Sequence, residues 1–248
     1  MYISAAILSL ISLTSATNLP SPQRLFSNPS QYDTGFTIPT VHESAVQARR
    51  ILRLESIGTL STVFPSHHAT ENRPSVDGAP IGLMDYFGDC EPSTGNPIIL
   101  AITIATSFKN VDAGSNITLS MRWHPPRDNV WRSPASLPRF SLVGHLEDID
   151  LDDAAKRGLP QCYVKYHPDA AWWLPGNPIH ESKWVRLVVD EVYWIGGFGD
   201  RAYIGWIPAD EWYSVTPEEI EAVRLPGEEK SGWAGWRSWV GLEEAQEL

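Results

Sequence analysis

Cysteine is almost missing from this chain: two in 248 residues, Cys90 and Cys162. That count excludes a disulfide-dense scaffold and a multi-cysteine zinc site. Basic side chains are scarce too, 19 Lys and Arg against 30 Asp and Glu, which leaves a net charge of −11. Such a surface repels nucleic-acid phosphates and anionic lipid, so neither is an expected partner. No apolar run approaches the roughly 20 residues that a membrane-spanning helix needs. There is no Gly-x-Ser-x-Gly nucleophile elbow. Gly197-x-Gly199 falls between two expected strands, not between a strand and a helix, so it reads as a hairpin turn and not as a dinucleotide fingerprint. His67 and His68 are adjacent and lack the spacing that turns two imidazoles toward one metal. What the chain does have is tryptophan, 11 copies, mostly in its second half.

The first residues set the compartment. In "MYISAAILSLISLTSAT" an apolar run from Ile3 to Leu13 is followed by small residues up to Ala16. Residues 1–16 therefore read as a secretory signal peptide and are excluded from fold reasoning. Asn116-Ile117-Thr118 is an N-glycosylation triplet with no proline in its middle position. In an oxidising compartment Cys90 and Cys162 either pair or stay as two buried thiols. A bridge would close a loop worth about 4 kcal/mol in the chain-entropy model.

Residues 17–40 are rich in Ser, Pro and Asn without apolar period, a flexible arm. A domain over 41–223 follows, and then an acidic, tryptophan-containing tail over 224–248. Thr40 with Glu43 three residues on is a capping box that starts a helix running to Glu55. Its stripe is Val41, Ala45, Ala48, Ile51 and Leu52, one face at helical spacing. Strands are expected at 57–63, 80–87, 97–106, 117–123, 139–147, 184–195 and 202–207, with a turn at 107–115. Asp150 caps a helix that has Asp152 and Asp153 in its first turn. Thr216-Pro217-Glu218-Glu219 opens a last short helix. No strand–helix–strand rhythm recurs, so an antiparallel barrel or sandwich is expected over a doubly wound sheet. In "KSGWAGWRSWV", Trp233, Trp236 and Trp239 recur every third residue, a stripe suited to docking on the body or on a partner.

The carboxylates Glu147, Asp148, Asp150, Asp152 and Asp153 read as a helix start and a solvated face. Lys109, between two strands, is either a surface lysine or a point charge for a phosphate.

In this order the segments "ARRIL", "IGTLSTV", "DYFGD", "PIILAITIATSFKNV", "NITLSMRW", "RFSLVGHLEDI", "YVKYHPDAAWW", "WVRLVVDEVYWIGGFG" and "VTPEE" resemble the CREG family, over about residues 42–222. "YVKYHPDA" and "VTPEE" are the most specific of them. The resemblance implies a mainly β fold with peripheral helices, the six-stranded antiparallel split β-barrel of the pyridoxamine-phosphate oxidases. It implies a secreted or endolysosomal-vacuolar glycoprotein that acts by binding, as a homodimer, through a protein or glycan-dependent receptor. No cofactor is expected. The alternative it carries is an FMN-dependent oxidoreductase, with Lys109, Ser61 and Thr62 as the contacts to the cofactor's phosphate. In this setting the Cys90 loop joins two barrel strands, and Cys90 is expected to be bridged to Cys162.

Overall fold

The structure, a computed structural model, describes residues 37–66, 74–126, 131–178, 180–199 and 201–228. The expected signal peptide, most of the arm, the pair His67-His68 and the tryptophan stripe after Glu228 lie outside them.

The chain enters through α1 (Val41–Leu54), whose capping box is present in both directions: Thr40 Oγ1 accepts from Glu43 N, and the Glu43 carboxylate accepts from Thr40 N. Ala45, Ala48, Ile51 and Leu52 are fully buried, as the helical stripe requires. Seven strands follow: β1 (Ile57–Val63), β2 (Pro80–Tyr86), β3 (Ile98–Ile102), β4 (Ile117–Arg122), β5 (Arg139–Ile149), β6 (Ser182–Ile195) and β7 (Ile204–Pro208). They form one antiparallel sheet in the order β2-β1-β4-β5-β6-β3, and β7 adds to β6. β3 pairs with the first residues of β6 and β7 with the last, so both share the edge of β6 that β5 leaves free. The two ends of the path meet at one bridge. Gly88, two residues past β2, exchanges both backbone hydrogen bonds with Ile98 of β3, each 2.9 Å. Six strands thus close into a barrel that is joined at this point and split beyond it.

Helix α2 (Thr106–Asp112) plugs the barrel. Two expectations are corrected here: the strand expected at 97–106 stops at Ile102, and the turn expected at 107–115 is mostly this helix. The reason is tertiary. Phe108 is 3 % exposed in the main core, and Asn110 Nδ2 donates to Thr62 Oγ1 across a buried 3.0 Å contact. Alternation alone does not register such a seven-residue helix.

β3 is buried on both faces, which accounts for its unbroken run Ile98-Ile99-Leu100-Ala101. Ile99 and Ala101 face the main core with α1, while Ile98 and Leu100 join a second core with Leu159, Tyr163 and Trp184. That second core sits under α3 (Leu151–Lys156), which Asp150 caps as expected, and α4 (Leu159–Tyr166). Two short helices, α5 (Ala209–Ser214) and α6 (Pro217–Ala222), return to α1, and the Thr216–Glu219 capping box starts α6.

The loop 88–97 is a rivet. Its disulfide Cys90–Cys162 ties it to α4 with Cα atoms 5.9 Å apart. Its charges turn inward: Asp89 accepts from Arg53 at 2.6 Å, and Glu91 meets Arg157 at 2.5 Å and Arg186 at 2.9 Å. Asn96 Oδ1 accepts from Val189 N and Tyr213 Oη, both at 3.1 Å. Gly95 lies at φ +68°, and a Cβ there would sit 2.3 Å from Arg49 Nε, so only glycine lets the buried guanidinium pass. A buried carboxylate that kept no partner would be costly, and here each has one.

Candidate functional site

Strand alternation divides the barrel into an inner face, filled by the core, and an outer face. On the outer face Thr59, Ser120, Ser141 and Tyr193 are cross-strand neighbours in one row. Arg122, Arg139 and Ile195 form the next row. These residues, with Ile57, Met84 and His124, line a groove of about 430 Å³. Its floor is made of small hydroxyl side chains and one end is basic. Its apolar side is open to solvent, with Ile57 47 % and Met84 63 % exposed.

The basic end is built from the residues upward. Arg122 and Arg139 are direct cross-strand partners. Two like charges opposed in this way repel, so the pair is poised for an anion between or above them. Arg139 donates to the carbonyls of Ala135 and Leu137. Arg122 Nε donates to His124 Nε2 at 2.9 Å, which places the His124 proton on Nδ1, where it is donated to Glu55 Oε2 at 2.9 Å. Glu55 Oε1 accepts from His124 N at 2.7 Å. Burial raises the Glu55 carboxyl above its usual range, and its bonds from His124 oppose the shift. The relay Arg122–His124–Glu55 fixes one guanidinium edge and leaves the rest free to meet a ligand.

The three residues expected to hold a cofactor phosphate are not in the groove lining. Ser61 is on the outer face, two residues along β1 from Thr59, opposite Gly82 and Thr118. Thr62 is its neighbour in sequence and so points the other way; it is 2 % exposed, with its hydroxyl held by Asn110. Lys109 is exposed on α2, one residue before Asn110. The fold brings α2 to Thr62 and separates both from the outer face. Sequence reasoning missed Arg122, Arg139, His124 and Glu55. The signal for two of them was in reach: period-2 counting back from Arg122 puts Ser120 and Thr118 on the same face, and Arg139 opens the next strand.

Asn116 is exposed at the head of β4, accessible for glycosylation. Cys90 and Cys162 are paired, and among the described residues there is no free cysteine. Among the same residues no group of three metal-ligating side chains converges, and no helix is long and apolar enough to cross a membrane.

A family model described as "CREG, beta-barrel" matches residues 39–214. No curated protein matches the chain. Among solved structures, a heme-binding protein from Mycobacterium smegmatis superposes with a TM-score of 0.52 at 18 % identity, covering 72 % of this chain and 62 % of that one. The chain thus spans less than two thirds of that protein. A protein of the pyridoxinephosphate oxidase family from Clostridium acetobutylicum, related to a general stress protein, superposes at 0.44 with 13 % identity, over 69 % of this chain and 99 % of that one. At 18 % identity the likeness to the heme-binding protein is one of fold alone.

Proposed function

This chain belongs to the CREG β-barrel family, and from that membership we propose that it is a secreted, N-glycosylated homodimer that acts by binding and does not turn over a flavin. One observation carries the reading. The residues expected to hold a flavin phosphate, Lys109, Ser61 and Thr62, are divided between two sides of the barrel wall, with the Thr62 hydroxyl already held by Asn110 inside it. What remains open is the outer groove, where Arg122 and Arg139 offer hydrogen bonds to an anionic group and Ile57, Met84 and Tyr193 offer apolar contact. That suits recognition of an acidic, partly apolar partner. The glycan at Asn116 is the handle for a carbohydrate-reading receptor, and its exposed site at the start of β4 suits that role.

The same arginines favour one competing reading, an FMN-dependent oxidoreductase that holds the cofactor's phosphate between Arg122 and Arg139 instead of at Lys109. Fold likeness to a heme-binding protein does not decide between the two, because unlike functions share one fold.

Expression of the full chain in a eukaryotic secretory host tests the proposal. The protein is expected in the medium without its first 16 or so residues. An N-glycosidase should increase its gel mobility, and Asn116→Gln should abolish that shift. Sedimentation should give twice the chain mass. Retention inside the cell with an intact N-terminus, or a monomer at all concentrations, would contradict it.

A further inference from the structure

We infer that the acidic, partly apolar partner of the outer groove is an acidic oligosaccharide, a short chain of sugar rings that carry carboxylates. The inference rests on the groove being the functional site and narrows what fills it. The row of outward side chains Thr59, Ser120, Ser141 and Tyr193 continues one strand further, because Tyr193 is the cross-strand partner of Trp206 on β7. The two rings meet edge to face with centroids 5.0 Å apart, and Trp206 is 55 % exposed. Three hydroxyls are thus followed by two aromatic rings, over four inter-strand steps or about 19 Å. Ser120 and Ser141 share one hydrogen bond at 2.7 Å, which leaves both able to accept from a ligand and one able to donate. The next row holds Arg122 and Arg139. Among the described residues their side-chain hydrogen bonds go to neutral acceptors, His124 and the carbonyls of Ala135 and Leu137, so neither guanidinium has a carboxylate in direct contact.

This surface separates the classes of anion that could meet it. An extended peptide is held by main-chain hydrogen bonds at a sheet edge. The groove lies instead on a sheet face, where β4, β5 and β6 already pair with neighbours on both sides. A mononucleotide asks for one phosphate site and one ring to stack on, and leaves the row of hydroxyls unmet. A saccharide has no backbone ladder to satisfy. Its hydroxyls exchange hydrogen bonds with serine and threonine, which both donate and accept. The C–H faces of its rings pack on aromatic rings, whose faces carry negative charge. Its carboxylates fit the guanidinium forks. Because the chain as a whole carries a charge of −11, attraction of an acid is local to this basic end.

Titration calorimetry of the secreted full chain tests this with four probes: a tetrasaccharide of galacturonic acid, a neutral tetrasaccharide of glucose, tetraglutamate and adenosine monophosphate. The uronate chain should bind saturably, and added salt should weaken it. The neutral chain should bind about tenfold more weakly, as the loss of charge-assisted hydrogen bonds implies, and Arg139→Gln should have an effect of the same size. Trp206→Ala should weaken uronate binding about fivefold. Trp206→Phe should keep most of it, and Trp172→Ala, exposed and outside the groove lining, should change nothing. An unchanged circular dichroism spectrum checks that each variant folds. Equal affinity for the uronate and glucose chains, or uronate affinity indifferent to Trp206→Ala, overturns the inference. Binding of tetraglutamate or the nucleotide in place of the uronate chain overturns the saccharide and leaves the acidic partner standing. Failure of every anionic probe removes both readings.

Discussion

His42 lies between two carboxylates: Nδ1 is 2.9 Å from Glu211 on α5 and Nε2 is 2.9 Å from Glu219 on α6. Both ring nitrogens then act as donors, which is the imidazolium form. The bond to Glu219, and after it the bond to Glu211, raises the His42 pKa above 6.5, while Glu219 is held down at about 2. A raised histidine pKa stabilises the fold fully below pH 6.5, and the benefit fades as pH rises through the folded-state value. Because His42 is 39 % exposed, solvent screening limits the effect to about 0.5–1 kcal/mol. His42→Gln should therefore lower the urea midpoint at pH 5 and leave it nearly unchanged at pH 9; an equal loss at both would refute the ion-pair account. His167 works in the opposite direction. It is buried, stacked on Tyr86 at 4.0 Å and bonded to Phe87 O, and burial lowers its pKa, so its contribution is lost as pH falls below 6.5. None of these partners was legible in the sequence, since His42 meets residues 169 and 177 positions away. The residues alone left Cys90 and Cys162 either bridged or as two buried thiols; the family resemblance favoured the bridge, and the bridge is present.

Strands and helices were more readable than contacts, because their signals are local. The capping boxes at Thr40 and Thr216, the Asp150 cap, the α1 stripe and the long β6 are all where the sequence places them. Helix α2 was read as a turn because Phe108 and Asn110 act through partners on other elements, and seven residues carry too little period to show it. The bulge in β5 and β6 was also hidden. Register shifts between Val143 and Gly144, so Asp190 and Glu191 are both exposed and the sheet bends. Gly144 is there because of close approach: a Cβ would lie 1.9 Å from Val188 O. Gly144→Ala is expected to cost more than about 2 kcal/mol, as overpacking against backbone does. Gly199→Ala, with only Ile204 Cδ1 at 3.5 Å, should stay within about 0.5 kcal/mol. Calorimetric midpoints of the two variants check this, and similar values for both would remove the steric reason for the bulge.

As a whole the molecule is a barrel closed at one bridge, stapled beside that bridge and open on its outer face. The disulfide and the inward charges of loop 88–97 hold the place where β2 meets β3, which explains why a polar loop runs straight into a fully buried strand. The family was readable from the order of its segments, and the match over residues 39–214 bears that out. The site was less readable, because the groove gathers β1, β2, β4, β5 and β6 by register, and register is set by pairings that sequence does not print. The most direct test of binding without flavin turnover is the visible spectrum of the purified secreted protein, followed by equilibrium titration with FMN and, separately, with heme. The account predicts a colourless protein and no saturable binding of either cofactor; a yellow protein, or micromolar FMN affinity abolished by Lys109→Ala or Arg122→Ala, would contradict it.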